Sequence, residues 1–305
     1  MTTPAISAIV PTYRRPELLA ACVRSLAAQV VDPGAVEIVV VDDGSGDETG
    51  AVLDRLADEV AQLKVLQQRA NRGPAAARNA GAHAASAPLL LFVDDDVVAR
   101  QDLAARHLAL HADGDRLAGV LGLVEWLPSL TLTPFMRWLD TTSFQFKYHT
   151  TLREGPLPHP ADAFYTCNLS MSRALFLDAG GFDERFPYPA FEDIELGIRL
   201  GERGFVLSYR PEALAWHARP ITPAQFRARM VKVGESSELL RATHPDVVMD
   251  HGDVIAGARR WWQRGSLRAR GALTGWRDES LRARHYAAMV ADGFIEGQER
   301  ARRSR

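Results

Sequence analysis

Three consecutive carboxylates, Asp94, Asp95 and Asp96, follow directly on the apolar run Leu89-Leu-Leu-Phe-Val93. Adjacent carboxylates repel one another unless a proton or a cation intervenes, and hard oxygen donors of this kind suit Mg²⁺ or Mn²⁺. Successive residues of extended backbone point to opposite sides, so Asp94 and Asp96 share a face while Asp95 looks away. The chemistry this suggests is a metal-dependent site that handles phosphate. A solvated acidic turn is the plainer use of the same residues.

Two further carboxylate pairs stand at comparable places. Asp42-Asp43 follows the apolar run Val36–Val41 and opens into Gly44-Ser45-Gly46-Asp47, a turn-forming cluster. Glu192-Asp193 falls in the first turn of a helical stretch, where the positive end of the helix dipole favours acids, although capping alone would account for it. Arg78 lies about one turn inside a helix opened by Pro74, and a helix start flanked by Arg69 and Arg72 is a natural diphosphate site. His217 closes the last short strand, either as a satisfied imidazole or as a metal ligand.

The elements that must position these groups can be read from apolar spacing. Short apolar strands at Ile6–Val10, Val36–Val41, Val65–Gln67 and Leu89–Val93 alternate with helical stretches after Pro16, around Val52–Leu63 and after Pro74. Alternating strands and helices predict a parallel α/β sheet, whose ligands bind in the crevice beyond the carboxyl ends of the strands. There Thr12, Asp42, Asp43, Asp94 and Asp96 converge.

Beyond the triplet the alternation loosens. A helix at Leu103–His111 and a strand at Leu117–Trp126 are expected in a mixed part of the sheet. Residues 127–162 read as a long loop region with a short helix near Phe135–Leu139, of the kind that forms lids or binding loops. A strand at 163–172, a glycine turn at 179–186, a helix from Ala190 and strands at Phe205–Tyr209 and Ala213–His217 complete this part. Residues 221–305 read as helical, broken at His244-Pro245. The domain organisation expected is 1–220, with a nucleotide half to about 98 and an acceptor half from 99, followed by a helical basic extension over 221–305.

Composition sets the bounds. With 305 residues, 47% hydrophobic and 24% charged, the chain is an ordinary globular one, and a net charge of −2 gives no case for nucleic-acid binding. Residues 257–305 nevertheless carry twelve Arg against five acidic residues. Trp261, Trp262, Trp276 and Tyr286 sit among these arginines, a combination consistent either with peripheral contact at an anionic membrane or with packing on the main body. Cys22 and Cys167 lie in apolar surroundings without metal-ligand spacing, which suggests a reducing compartment. The N-terminus lacks the features of a signal peptide, and no apolar run is long enough to span a bilayer, so a cytoplasmic location is expected.

Six segments, Val10-Pro-Thr-Tyr13, Val40-Val-Asp-Asp-Gly-Ser45, Asn71-Arg-Gly-Pro-Ala-Ala-Ala-Arg-Asn79, Phe92-Val-Asp-Asp-Asp96, Gly180-Gly-Phe-Asp183 and Phe191-Glu-Asp-Ile-Glu-Leu196, together resemble the family 2 glycosyltransferases of the GT-A fold. The resemblance runs over about residues 5–245 in the family's order and spacing. It implies a Rossmann-like mixed sheet flanked by helices and an inverting transfer from a nucleotide diphosphate sugar, with UDP the commonest nucleotide, to a hydroxyl of a glycan, lipid or small molecule. It further implies that Thr12, Asp42 or Asp43, and Arg78 hold the base and diphosphate, and that Asp94 contacts the ribose. Pro11, Tyr13, Arg15, Asn71, Gly73 and Asp95 complete the candidate nucleotide-sugar set. Asp96 would ligate Mn²⁺ or Mg²⁺, His217 would complete the metal shell, and Asp193 would be the catalytic base, with Glu192 orienting it or standing in for it. Asn168, an isolated amide among apolar neighbours, and Trp126 are candidate acceptor contacts.

Two other enzyme classes use similar pieces. A strand running into Asp94-Asp95-Asp96 also resembles the first motif of haloacid-dehalogenase-type phosphatases, with Asp94 as nucleophile. That chemistry needs a lysine near the phosphate, and Lys64, Lys147 and Lys232 stand in no convincing context. A sugar nucleotidyltransferase would carry a glycine-rich loop after the first strand, but Pro11-Thr12-Tyr13-Arg14-Arg15 has no glycine. The Gln-x-x-Arg-Trp motif and membrane helices of processive synthases are also missing, so one sugar per encounter is expected.

Overall fold

In the computed structural model, which describes residues 3–32, 34–246 and 278–304, the chain groups into two compact units. The first draws on Met1–Thr131, Thr142–Pro187 and Glu192–Pro220; the second on Leu132–Thr141, Tyr188–Phe191 and Ile221–Arg305.

The first unit is built on a sheet that, among the described residues, has nine strands. Its opening half is the expected alternation: β1 (Ile6–Thr12), α1 (Pro16–Ala27), β2 (Val36–Asp42), α2 (Thr49–Glu59), β3 (Leu63–Gln67), α3 (Pro74–Ala84) and β4 (Leu89–Val93). These four strands are parallel in the order β3-β2-β1-β4. Every residue of β4 is buried, as an unbroken apolar strand covered on both faces must be. Each such Leu or Phe contributes about 1.5–3 kcal/mol by leaving water, which is why this strand takes a central position. Helix α1 turns Leu19, Cys22, Val23 and Leu26 to the same core. Both cysteines are buried and free.

The second half of the sheet is mixed. After β4 the order continues β8 (Asn168–Ser172), β6 (Ala118–Trp126), β9 (Val206–His217) and β5 (Val97–Ala99), with the two-residue β7 (Gly155–Pro156) on β9. Strand β8 runs antiparallel to β4 and β6, β9 parallel to β6, and β5 antiparallel to β9. Helices α4 (Leu103–Leu110), α6 (Arg173–Asp178) and α7 (Glu192–Gly201) flank it. The strands expected separately at 205–209 and 213–217 are one strand interrupted by a bulge, and only the last five residues of the expected strand at 163–172 are extended. The span 127–162 is less irregular than its composition suggests, since it holds α5 (Pro134–Asp140), β7 and a 3₁₀ turn at Pro160–Asp162.

The second unit packs α8 (Pro223–Thr243) along α9 (Glu279–Arg303), joined by α5. Thr222 and Gln225 cap α8 reciprocally, which satisfies two end donors of the helix. The Phe135 ring meets Phe226 and Tyr286 at 5.7 and 5.0 Å between centroids. Tyr286 thereby packs within this unit. Trp261, Trp262 and Trp276 lie outside the described residues. Glu238, buried on α8, accepts from Arg241 and from Arg302 on α9, so part of the basic surplus is neutralised within the unit. No helix among the described residues is long and apolar enough to cross a membrane.

Candidate active site

The parallel strands deliver their carboxyl ends side by side, with Thr12 registered on Asp42. The Asp42 carboxylate accepts from the backbone N–H and hydroxyl of Ser45 (3.0 and 2.6 Å), closing the turn after β2. Asp43 accepts from the N–H groups of Arg72 and Gly73 (2.7 and 2.8 Å) and so ties the entry of α3 to the same turn. Burial is the largest influence on Asp43 and pushes its carboxyl above the usual range despite those two bonds. Between them Gly44 adopts φ 72°, and a Cβ there would lie 2.7 Å from the backbone carbon of Ala70, so only glycine lets the two loops meet. Beside this junction Tyr13 and Asn71 are exposed and Pro11 is half-buried.

The acidic triplet lies in a turn closed by the Val97 N–H on the Asp94 carbonyl, not in extended backbone, so the expected alternation does not hold and Arg15 reaches both Asp95 and Asp96. Asp95 turns inward, accepting from the Thr12 hydroxyl and from Arg15, both at 2.8 Å. Burial pushes its carboxyl up to about 6, against the pull of Arg15. Among the candidate nucleotide contacts, Thr12 and Asp95 thus bind each other beneath the surface. Asp94 pairs elsewhere, and Asp96 shares Arg15 with Asp95 and adds further partners. Asp94 accepts from Arg78 at 2.8 Å; burial opposes its charge, but Arg78, then His217 and Arg15, hold the carboxyl below the usual range. Asp96 lies 3.2 Å from Arg15 and 3.5 Å from Arg219, and its other oxygen, Oδ1, is 3.4 Å from Nδ1 of His217. Arg219 was not anticipated, although its place two residues after His217 is the signal that would have found it.

Arg78 is almost fully buried, 3% exposed. Its guanidinium donates to Asp94 on one side and to Glu192 Oε1 on the other (2.9 Å), so the residue expected at the diphosphate joins two carboxylates. Glu192 is pushed up to about 8 by burial and by the neighbouring Asp193 charge, which outweigh Arg78. The chain enters α7 through Phe191 in the left-handed region, φ 70°, a strained entry that sets the direction in which Glu192 and Asp193 leave.

The remaining motifs are structural. Asn79 brackets Phe182, accepting its N–H and donating to its carbonyl (2.8 and 2.9 Å), while Arg199 donates to the carbonyls of Ala179 and Gly181. The Gly180-Gly181 turn is thus clamped between α3 and α7. Asn168 is a correction. Expected to meet the acceptor, it is fully buried, with its amide engaged by Leu123 O, Ala213 O and His107. Trp126 lies at the end of β6, its ring 5.9 Å from that of His217.

A divalent cation fits this chemistry. Asp96 Oδ1 is buried and has no hydrogen-bond partner, and its 3.4 Å spacing from His217 Nδ1 is near the roughly 3 Å between adjacent ligands of an octahedral ion. The described residues hold no cluster of three or more His, Cys, Asp or Glu suited to a metal. That agrees with ions such as Mg²⁺, which take one or two protein ligands and fill their shell with phosphate and water.

Comparison with known proteins places this geometry. A validoxylamine A glucosyltransferase of Streptomyces hygroscopicus subsp. limoneus is 34% identical over 235 residues, 69% of this chain and 51% of the relative. A pre-mycofactocin glycosyltransferase of Mycobacterium tuberculosis is 29% identical over 72% of this chain and 46% of its own. The chain therefore spans about half the length of the curated relatives it matches. Among solved structures, the mannosyltransferase PcManGT of Pyrobaculum calidifontis with GDP-Man and Mn²⁺ superposes with a TM-score of 0.64 at 17% identity, over 97% of this chain and 88% of that one. TarS of S. aureus in complex with UDP gives 0.55 at 20% identity, over 99% and 92%. Both share the GT-A architecture of a mixed sheet between helices. Residues 7–176 match the family model described as glycosyl transferase family 2, and the chain belongs to that family.

Proposed function

We propose that the protein transfers one sugar from a nucleotide diphosphate sugar to an acceptor hydroxyl, with inversion and with help from Mn²⁺ or Mg²⁺. The observation that carries this reading is the Arg78 bridge: one guanidinium holds Asp94, at the strand end where a donor would sit, and Glu192, next to the candidate base Asp193. Donor-side and acceptor-side carboxylates are thus within one side chain's span. The UDP and GDP-Man of the two structural neighbours support this class of donor, and UDP is the nucleotide we expect here.

The turn after β2 and the entry of α3, tied together through Asp42 and Asp43, form the floor for the nucleotide. Tyr13 and Asn71 offer exposed groups beside it, and Asp94 receives the ribose. Asp96 and His217 hold the cation, which when bound offsets the charge gathering on the departing diphosphate. Arg15 and Arg219, on the other oxygen of Asp96, add positive charge there. Asp193 accepts the proton of the acceptor hydroxyl as its oxygen attacks the anomeric carbon and the bond to the diphosphate breaks. Glu192, protonated near neutral pH and pinned by Arg78, orients that base without competing for the proton. Acceptor identity is set outside these residues, and Trp126 remains the candidate contact. The family assignment does not favour the phosphatase or nucleotidyltransferase chemistry.

Calorimetric titration of UDP, GDP, dTDP and CDP, with and without Mn²⁺, tests the reading. Binding of one diphosphate that needs both Mn²⁺ and Asp96, and is lost in Asp96→Ala, is the expected result. No binding of any of them by folded protein would overturn it.

A further inference from the structure

Strand β9 does not run straight. It pairs with β6 residue for residue as far as Gly122↔Arg210, and the next pair is Leu123↔Leu214. Pro211, Glu212 and Ala213 are therefore looped into β9 opposite a single step of β6. A regular ladder would set Leu214 against Trp126 and carry His217 three residues past the end of β6, about 10 Å further on. An odd shift would also exchange the two faces of the strand. With the bulge, His217 pairs with both Trp126 and Val97, and its imidazole comes within 3.4 Å of Asp96.

One amide holds the bulge. Asn168 Nδ2 donates to the carbonyls of Leu123 (3.1 Å) and Ala213 (2.8 Å), which end the slipped segment on either strand. Gly122 makes room for it, because a Cβ there would meet Asn168 Nδ2 at 2.2 Å and Ala213 O at 2.3 Å. With both amide protons directed at carbonyls, Asn168 Oδ1 must accept, and it does so from His107 Nε2 at 2.9 Å. Nδ1 of His107 then accepts from the Ser170 hydroxyl (2.7 Å), whose oxygen accepts from His111 Nε2 (2.9 Å). Burial keeps His107 neutral, pushing its imidazole down to about 4, as this chain of bonds requires. Asn168, Ser170 and His107 are all fully buried.

We infer that Asn168, seated by Gly122 and oriented by His107, is a positioning residue that sets where His217 meets Asp96. Its consequence for cation binding rests on the function proposed above; its placement of His217 does not.

Two measurements on the full chain separate these. The first is the imidazole ¹H–¹⁵N resonances of His217 in metal-free protein, identified by their loss in His217→Gln. The second is Mn²⁺ affinity by electron paramagnetic resonance in the presence of UDP. Gly122→Ala and Asn168→Ala should both move the His217 resonances and weaken Mn²⁺ binding roughly tenfold or more, as loss of outer-shell support does elsewhere. His107→Leu should behave alike, whereas His107→Gln, which can still donate to Asn168 Oδ1, should restore wild-type behaviour. If Asn168→Ala fails to fold, Gly122→Ala and His107→Leu probe the same contacts. A folded Gly122→Ala or His107→Leu protein with lowered Tm but unmoved His217 resonances would overturn the inference. Moved resonances with no Mn²⁺ binding even by the wild type would instead sustain the positioning role and remove the cation.

Discussion

Oδ1 of Asp96 and Nδ1 of His217 face each other at 3.4 Å across the ends of two strand systems. The carboxylate belongs to the turn between β4 and β5 and the imidazole to the end of β9, and the pairing of Val97 with His217 brings the two together. The second oxygen of Asp96, near Arg15 and Arg219, leaves Oδ1 as the atom available to a cation.

Replacing His217 by Gln should weaken Mn²⁺ binding by about tenfold or more while leaving the fold intact. Mn²⁺ titration followed by electron paramagnetic resonance measures this directly. Unchanged affinity would show that Asp96 acts without the imidazole.

Asp193→Asn keeps the shape and removes the base. Transfer should fall by roughly 10²–10⁴-fold, with nucleoside diphosphate affinity preserved. Normal turnover in a donor-consumption assay would move the role to another group.

Arg78 is buried between two acids, and removing one partner of a buried ion pair costs about 3–5 kcal/mol because the remaining charge is stranded. Arg78→Met should lose stability on that scale in urea unfolding. Adding Asp94→Asn should recover part of the loss, since Asp94 is the partner held ionised by Arg78 and the stranded acid is then neutral. Additive losses in the double variant would mean that the two side chains are not coupled.

Stability should depend on pH in a definite direction. Folded Glu192 keeps its proton up to about pH 8, whereas its ordinary value is 4.5; for Asp95 the values are about 6 and 3.8. Across that window the folded chain binds more protons than the unfolded one, so stability falls as pH rises. The stabilisation is complete below the ordinary values and is lost as pH passes through about 6 and then about 8. Urea midpoints between pH 5 and 9, in chelator, should decline, and Glu192→Gln should flatten the upper part of the decline. A midpoint that rises with pH would contradict the assignment.

Gly44→Ala meets both a left-handed backbone and the backbone of Ala70. A penalty of about 1–3 kcal/mol is expected from the backbone alone, and the displaced loop should raise KM for the donor more than it lowers kcat. Steady-state kinetics with varied donor would test this.

Much of the first half of the fold was legible because its signals are local. The runs Ile6–Val10, Val36–Val41 and Leu89–Val93 are apolar apart from Ser7 and Glu37, each ends in a turn or in charges, and the helices between them show one apolar face. The acidic clusters at strand ends could be placed for the same reason. What could not be read depends on partners distant in sequence. Asn168 looked like a ligand-binding amide because the carbonyls that engage it belong to Leu123 and Ala213, about 45 residues away on either side; Pro211 marks a break in β9 but does not say what fills it. The tie from Arg78 to Glu192 could not be read because Glu192 is 114 residues further along the chain. Strand β5 is three residues long and is defined by its pairing with β9.

The order of strands also bears on how the chain comes to be folded. Strand β4 is apolar throughout and pairs with β1 on one side, but its other neighbour, β8, lies about 75 residues further along. At a synthesis rate of about 5–20 residues per second, that flank stays open for roughly 4–15 s after β4 has emerged from the ribosome. An unpaired apolar edge is a template for pairing with other chains. Asp94, Asp95 and Asp96 directly abut that edge, and like charges there disfavour pairing with a second nascent chain until β8 arrives.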